Sequence, residues 1–319
     1  MNTVLETIKN SGNVAILPHV SADGDAIGSC AAMAEFVKSI GARAVVYTEE
    51  NVEKRLEFIG CEYVRFDGEY AEHDLCIVLD CGDEKRIGER IAVKNRAKTV
   101  INIDHHKTNT YFGDINIVRP DASATGEILA ELFCENGVEI NLKAASALYA
   151  AIASDTGRFA YTNVSPKTFR LAAWLLEKGI NLAEITRLMF ESNEYKGELL
   201  KAEVIKGLHI YFGGKVKLGV CTQKMLDENG LKKDDDLPQL VEIPRCLAGT
   251  EIAVSLREKD GKLKCSLRSN GDEDVSVISL VFGGGGHAKA AGFTVEGYTI
   301  DELEEKIITE IKTLTGWTE

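Results

Sequence analysis

Asp104, His105 and His106 stand in a row directly after the apolar run Val100 to Ile103, so three ionisable side chains fall where a buried strand gives way to a loop. The same arrangement occurs twice earlier. The run from Asn13 to Pro18 leads into His19, Asp23 and Asp25, and the run from Asp74 to Leu79 leads into Asp80. A further carboxylate, Asp155, precedes Thr156 and Gly157. Each piece has an ordinary reading alone: aspartates beside glycine cap helices and close turns, and two adjacent histidines can sit in an exposed loop. Repetition at the ends of apolar runs is what favours metal ligation. The set offers carboxylate oxygens and imidazole nitrogens from four or five strand ends and no thiolate, which suits Mn²⁺ or another first-row ion better than calcium or structural zinc. It is too large for one ion, so two ions sharing a carboxylate are expected. Such a pair, roughly 4 Å apart, activates a bridging water and stabilises in-line displacement at phosphorus.

The elements that must position these groups alternate. After the first strand, the turn through His19, Asp23 and Asp25 opens a helix over about 26–40, whose Gly28, Ser29, Ala31 and Ala32 allow close packing on a sheet. Strands follow at 44–48, 74–79, 100–103 and 115–118, with helices near 52–59, 85–96, 124–136 and 142–154 between and after them. Strand and helix in repetition predict a doubly wound parallel sheet, in which ligands collect beyond the carboxyl ends of the strands. Between 166 and 208 helical patterns dominate, over 168–177, 182–190 and 198–206. Beyond that the pattern is hairpin-like, with turns at Gly213–Gly214 and Asp260–Gly261 and helices over 275–282 and 300–314. The fold class is therefore α/β in two domains: a parallel-sheet domain over 1–190, a helical linker over 191–207, and a smaller α+β mixed-sheet domain over 208–319.

Composition bounds the function. The chain has 319 residues, 45% hydrophobic and 27% charged, enough for two cores. Its net charge of −13 argues against gripping long nucleic acid through phosphates. The first ten residues lack a basic segment followed by an apolar one, and no stretch approaches membrane-spanning length, so a soluble, cytoplasmic protein is expected. The eight cysteines are scattered, form no Cys-x-x-Cys pair and read as reduced core thiols.

Taken in order, His19 with Asp23 and Asp25, Asp80 in Leu-Asp-Cys-Gly, Asp104-His105-His106, and Asp155 in Ser-Asp-Thr-Gly resemble the four motifs of the DHH phosphoesterase superfamily. Gly283, Gly284, Gly285, Gly286 and His287, followed by Ala-Lys-Ala-Ala-Gly, resemble the signature of the DHHA1 domain. The resemblance implies an active site in the cleft between the two domains with two Mn²⁺ ions, Mg²⁺ or Co²⁺ being substitutes. By position, His19, Asp23 and Asp80 would hold one ion; Asp25, Asp80, His105 and Asp155 would hold the other. It also implies catalytic roles for His106, as proton donor or phosphate contact, and for Asp104, which would orient the histidines. Arg268 and the loop of Gly284, Gly285, Gly286 and His287 would bind substrate phosphate. Glycines let a backbone approach a ligand and leave N–H groups to cradle an anion. Arg119 and Arg158 are weaker candidates of the same kind.

Within the superfamily, the glycine loop counts against type II pyrophosphatases, the length against RecJ-type exonucleases, and the lack of spanning segments against membrane-bound cyclic-di-AMP phosphodiesterases. What remains resembles the compact group of NrnA-type oligoribonucleases and pAp phosphatases, or its relatives that hydrolyse cyclic di-AMP or pApA. A nucleotide sensor that kept the fold is the reading from another class, and the complete ligand set argues against it. The implied partners are short single-stranded RNA or DNA oligonucleotides and nucleotides such as pAp and pApA, with no long duplex and no membrane; a homodimer is an allowed assembly.

Overall fold

The structure, a computed structural model, describes residues 2–232, 237 and 239–318. It divides into two compact units, one ending at Ser192 and one beginning at Asn193.

The first unit is built on six strands: β1 (Asn13–Leu17), β2 (Arg43–Thr48), β3 (Tyr63–Arg65), β4 (Leu75–Leu79), β5 (Thr99–Asp104) and β6 (Ile115–Val118). They lie in the order β3-β2-β1-β4-β5-β6, every neighbouring pair parallel. The doubly wound sheet expected from the alternation is therefore present. Both faces are covered, so β1 and β4 read as continuous apolar runs. Val14, Ile16, Leu75, Ile77 and Ile101 face the larger core with the helices Gly24–Ser39, Thr125–Glu135 and Leu142–Asp155. Ala15, Leu17, Cys76, Val78 and Val100 face the smaller core with Ile87 and Val93. The chain runs outward from β1 through β2 to one edge and from β4 through β5 to the other. The order reverses between β1 and β4, and a crevice for ligands opens beyond such a reversal. His19 follows β1 and Asp80 follows β4.

Helix Gly24–Ser39 begins two residues earlier than the periodicity predicts, because the Asp23 side chain accepts from the amides of Asp25 and Ala26 and caps it. A cap of this kind contributes about 1 kcal/mol. Its glycines let it lie against helix Leu142–Asp155: a Cβ at Gly28 would stand 2.5 Å from the Ala147 carbonyl oxygen. The single helix expected over 85–96 is instead a 3₁₀ segment, Glu84–Arg90, followed by a short α-helix, Ile91–Arg96. Gly88 breaks it, with φ 66° and ψ −144°. The helix expected over 182–190 likewise divides, into α-helix Leu182–Thr186 and a π-helical turn Arg187–Glu191.

The second unit holds β7 (His209–Tyr211), β8 (Val216–Cys221), β9 (Ile252–Lys259), β10 (Lys262–Ser269), β11 (Gly285–His287) and β12 (Ala290–Val295), in the order β11-β12-β10-β9-β8-β7. The sheet is mixed: β8 and β9 are parallel and the other pairs antiparallel. Asp260 and Gly261 both have positive φ, 55° and 73°, and close the β9–β10 hairpin as a primed turn requires. Helix Ile300–Thr315 buries Leu303, Ile307 and Ile311 against the sheet, one residue per turn. Helix Tyr195–Lys206, from the stretch 191–207, buries Leu200 and Val204 with Cys221, Leu226, Leu231 and Leu240 in this unit. Among the described residues, no helix is long and apolar enough to cross a membrane.

Candidate metal centre

All six metal-ligand candidates converge at the carboxyl edge of the first sheet. His19, Asp23 and Asp80 place one ligand atom each within 4.8 Å of one another, and Asp25, His105 and Asp155 do the same. The two groups meet at Asp80: its Oδ2 lies 3.6 Å from His19 Nε2 and its Oδ1 lies 3.5 Å from His105 Nε2. His105 Nε2 is also 3.2 Å from Asp155 Oδ2 and 4.0 Å from Asp25 Oδ2. His19, Asp80 and His105 follow three strand ends, Asp23 and Asp25 lie at the N-terminus of helix Gly24–Ser39 and Asp155 at the C-terminus of helix Leu142–Asp155, so three strand ends and two helix termini replace the expected four or five strand ends. Ser154 and Asp155 stay helical, and the helix stops only at Thr156, ahead of Gly157 with its φ of 53°.

The cluster is held from behind. Helix Thr125–Glu135 has no side-chain cap from its own N-cap residue, Ala124. Its free amides go to Asp25 instead: Thr125 N donates to Oδ2 at 2.6 Å and Gly126 N to Oδ1 at 2.8 Å. A helix N-terminus is a ready anion site, and the anion here is an aspartate carried by another helix. Ser29 Oγ donates to the same carboxylate at 3.1 Å. Thr125 Oγ1 donates to Asp80 Oδ1 at 3.0 Å, so one threonine holds both carboxylates. Asp80 itself adopts φ 56°, a left-handed conformation costing a non-glycine residue about 1–3 kcal/mol, the kind of strain kept at functional sites. On the other side, Asp104 Oδ1 accepts from His106 Nδ1 at 2.7 Å, while its Oδ2 accepts from Asn109 Nδ2 at 2.6 Å. Asn109 is tied in turn to Asn102 on β5, 2.8 Å away. Asp104 therefore fixes His106, whose Nδ1 stands 3.7 Å from Asp80 Oδ1. Thr125 and Gly126 escaped sequence reasoning, since each reaches Asp25 across about 100 positions, and Asn109, only five positions from Asp104, escaped it because it stands in a loop with no periodic pattern.

The electrostatics are those of a site short of positive charge. Burial, with the nearby charges of Asp80 and Asp155, pushes the Asp25 carboxyl well above the usual carboxylate range. Burial alone would lower His105, but its hydrogen bond with Asp155 and the charges of Asp80 and Asp25 lift it to about 10. Burial would raise Asp80, but the hydrogen bond from His19 and the charges of His105, His19 and His106 draw it down to about 2. Protons thus sit where cations would relieve the repulsion. The donor set fits a hard or borderline cation. Cys81 adjoins Asp80, but its thiol, pushed up to about 12 by burial, turns to the Asp83 carbonyl 3.2 Å away and adds no sulfur ligand.

The substrate-side candidates of the second unit are arranged around β10 and β12. Arg268, on β10, has Nε 3.5 Å from Glu242 Oε1 and Nη1 donating to the Leu267 carbonyl. Gly285, Gly286 and His287 form β11, paired with β12. The glycines serve a tight packing: a Cβ at Gly284 would stand 2.3 Å from the Gly292 carbonyl oxygen, and one at Gly286 would stand 2.5 Å from that of Ala290. The amides of Gly283 and Gly284 donate to the Leu280 and Ser279 carbonyls, so the loop offers fewer N–H groups for an anion than four glycines suggest. Arg119 is engaged by Asp121 and Glu131, and Arg158 lies over the Phe190 ring.

Comparison with known proteins places this geometry. Residues 13–152 match the DHH family N-terminal domain and residues 219–314 the DHHA1 domain. The chain is 32% identical over 316 residues to a Thermus thermophilus bifunctional oligoribonuclease and PAP phosphatase NrnA, covering 98% of this chain and 93% of that protein. It is 28% identical to the Bacillus subtilis protein of the same name, covering 98% and 97%. The crystal structure of an exopolyphosphatase-related protein from Bacteroides fragilis, 26% identical, matches with a TM-score of 0.91 over 98% of this chain and 96% of that one. The chain belongs to the DHH family and carries the DHHA1 domain. It is a hydrolase of the phosphoesterase class.

Proposed function

We propose that the protein hydrolyses short oligonucleotides to mononucleotides and pAp to AMP, using two divalent ions, Mn²⁺ foremost. The observation that carries this reading is the pair of ligand groups joined at Asp80, in a chain similar along nearly its whole length to proteins named for those two activities. His19, Asp23 and Asp80 would hold one ion; Asp25, Asp80, His105 and Asp155 would hold the other. Bound there, such ions supply a nucleophile at neutral pH and neutralise charge developing at phosphorus.

The remaining residues do the rest. Thr125, Gly126 and Ser29 keep Asp25 and Asp80 aimed at the site. Asp104 holds the His106 ring so that its far nitrogen can give a proton to the leaving oxygen or contact a phosphate oxygen. Arg268 and His287 are the residues that this reading assigns to substrate phosphate. A cytoplasmic location belongs to the same reading, since the substrates are products of RNA and nucleotide turnover.

The test is one assay panel: purified protein with Mn²⁺ against pAp, two- to five-nucleotide RNA, cyclic di-AMP, pApA and pyrophosphate. Turnover of pAp and the short RNAs is expected. Exclusive turnover of cyclic di-AMP or pApA would reassign the substrate, and no turnover of any would make the protein a sensor.

A further inference from the structure

Arg86 lies at the metal centre and has no part in the ligand set. It is exposed, and its Nη2 stands 3.0 Å from His19 Nδ1. The backbone that displays it is pinned on all sides. Val20 N donates to the Arg86 carbonyl at 2.7 Å, and Arg86 N donates to Asp83 O at 2.9 Å. Asp83 caps the turn through Lys85 N at 2.9 Å. Next along the chain, Ile87 is fully buried in the smaller core. Gly88, with φ 66°, leaves room for the Glu49 carboxylate, which a Cβ there would meet at 1.9 Å. Arg90 is wholly buried and donates to the Tyr47 carbonyl at 3.1 Å. The guanidinium is thus held out from a fixed loop.

Among the described residues no carboxylate forms an ion pair with Arg86, although the cluster beside it is rich in them. Among the described residues its one side-chain hydrogen-bond partner is His19, and that contact conflicts with the role assigned to the histidine. His19 Nδ1 also lies 2.7 Å from the Val20 carbonyl oxygen, a separation at which it donates. If Nε2 is to hold an ion, the ring proton must be on Nδ1 and go to Val20, and Nδ1 then has nothing to offer Arg86. The guanidinium is left with its donors at the edge of the centre and no acceptor among the described residues.

We propose that Arg86 is a substrate-binding residue that holds a phosphate oxygen of the nucleotide beside His19. The assignment rests on the phosphoesterase reading and concerns the first unit alone. Arginine suits the task because its planar fork meets two phosphate oxygens at once and stays charged at any working pH.

The test compares wild type with Arg86→Met and Arg86→Lys, each loaded with Mn²⁺. Calorimetry measures binding of AMP and of adenosine, and elemental analysis measures manganese. For Arg86→Met the expected result is unchanged manganese content, AMP binding weakened about ten- to a hundredfold, the cost of one charge-assisted contact, and unchanged adenosine binding. Arg86→Lys should recover part of the loss. Unweakened AMP binding in Arg86→Met would overturn the proposal. So would loss of manganese matching the loss of AMP binding, since Arg86 would then act only on His19. If wild type itself turns over none of the phosphoesters in the panel, the phosphoesterase reading fails instead, and the two failures stay distinct.

Discussion

Thr125 donates its hydroxyl to Asp80, at 3.0 Å, and its amide to Asp25, at 2.6 Å, so a residue that touches no ion governs two of the carboxylates meant to hold them. Thr125→Val keeps the shape and the amide and removes only the hydroxyl. Partners that orient metal ligands typically contribute about 10–100-fold in affinity or activity. We expect manganese affinity to fall by that order with the fold intact, as read by metal titration and circular dichroism. Wild-type affinity in the variant would show that Asp80 is positioned by its backbone alone.

The shifted groups give a pH dependence with a definite sign. His105 holds its proton to about 10 in the folded protein against 6.5 for an ordinary histidine, so its contribution to stability is complete below pH 6.5 and is lost as pH rises through 10. Asp25, also raised, acts in the same direction. Asp80, lowered to about 2, contributes stability above the ordinary carboxylate range and loses it only as pH falls through 2, so it does not vary in this window. The metal-free protein should therefore lose stability between pH 6.5 and about 10. Ions replacing those protons should raise Tm more at about pH 8.5 than at pH 6.5. Differential scanning calorimetry with and without Mn²⁺ checks this, and an increment that is flat or falls with pH would contradict it.

Arg268 and His287 are assigned to substrate rather than to ions, and the assignment separates two kinds of substrate. Arg268→Ala or His287→Ala should leave manganese content unchanged and lower kcat/KM for pAp and short RNA by about ten- to a hundredfold. A minimal ester such as bis-p-nitrophenyl phosphate, with no remote phosphate or base, should suffer much less. Equal losses on both would put these residues into the chemistry itself.

Much of this was legible in the residue order. The runs ending at His19, Asp80 and Asp104 lie in the adjacent strands β1, β4 and β5, because apolar β-branched runs followed by polar turn residues mark buried parallel strands and their carboxyl ends. What escaped has physical causes. The helix over 85–96 breaks at Gly88, where the close approach of Glu49 sets the backbone, and no local periodicity reports that approach. Strand β3 is only three residues long, and β12 begins with Ala290, Ala291 and Gly292, which carry no strand signature. Thr125 reaches Asp25 across 100 positions and Arg86 comes beside His19 across 67, so only the folded chain brings them to the site.

The most direct test of the two-ion account is the manganese content of Asp80→Ala beside wild type, because Asp80 is the one residue assigned to both ions. Elemental analysis after loading and desalting should find two manganese ions per wild-type chain and none in the variant, with pAp turnover lost in parallel. Wild-type manganese content in Asp80→Ala would contradict the account.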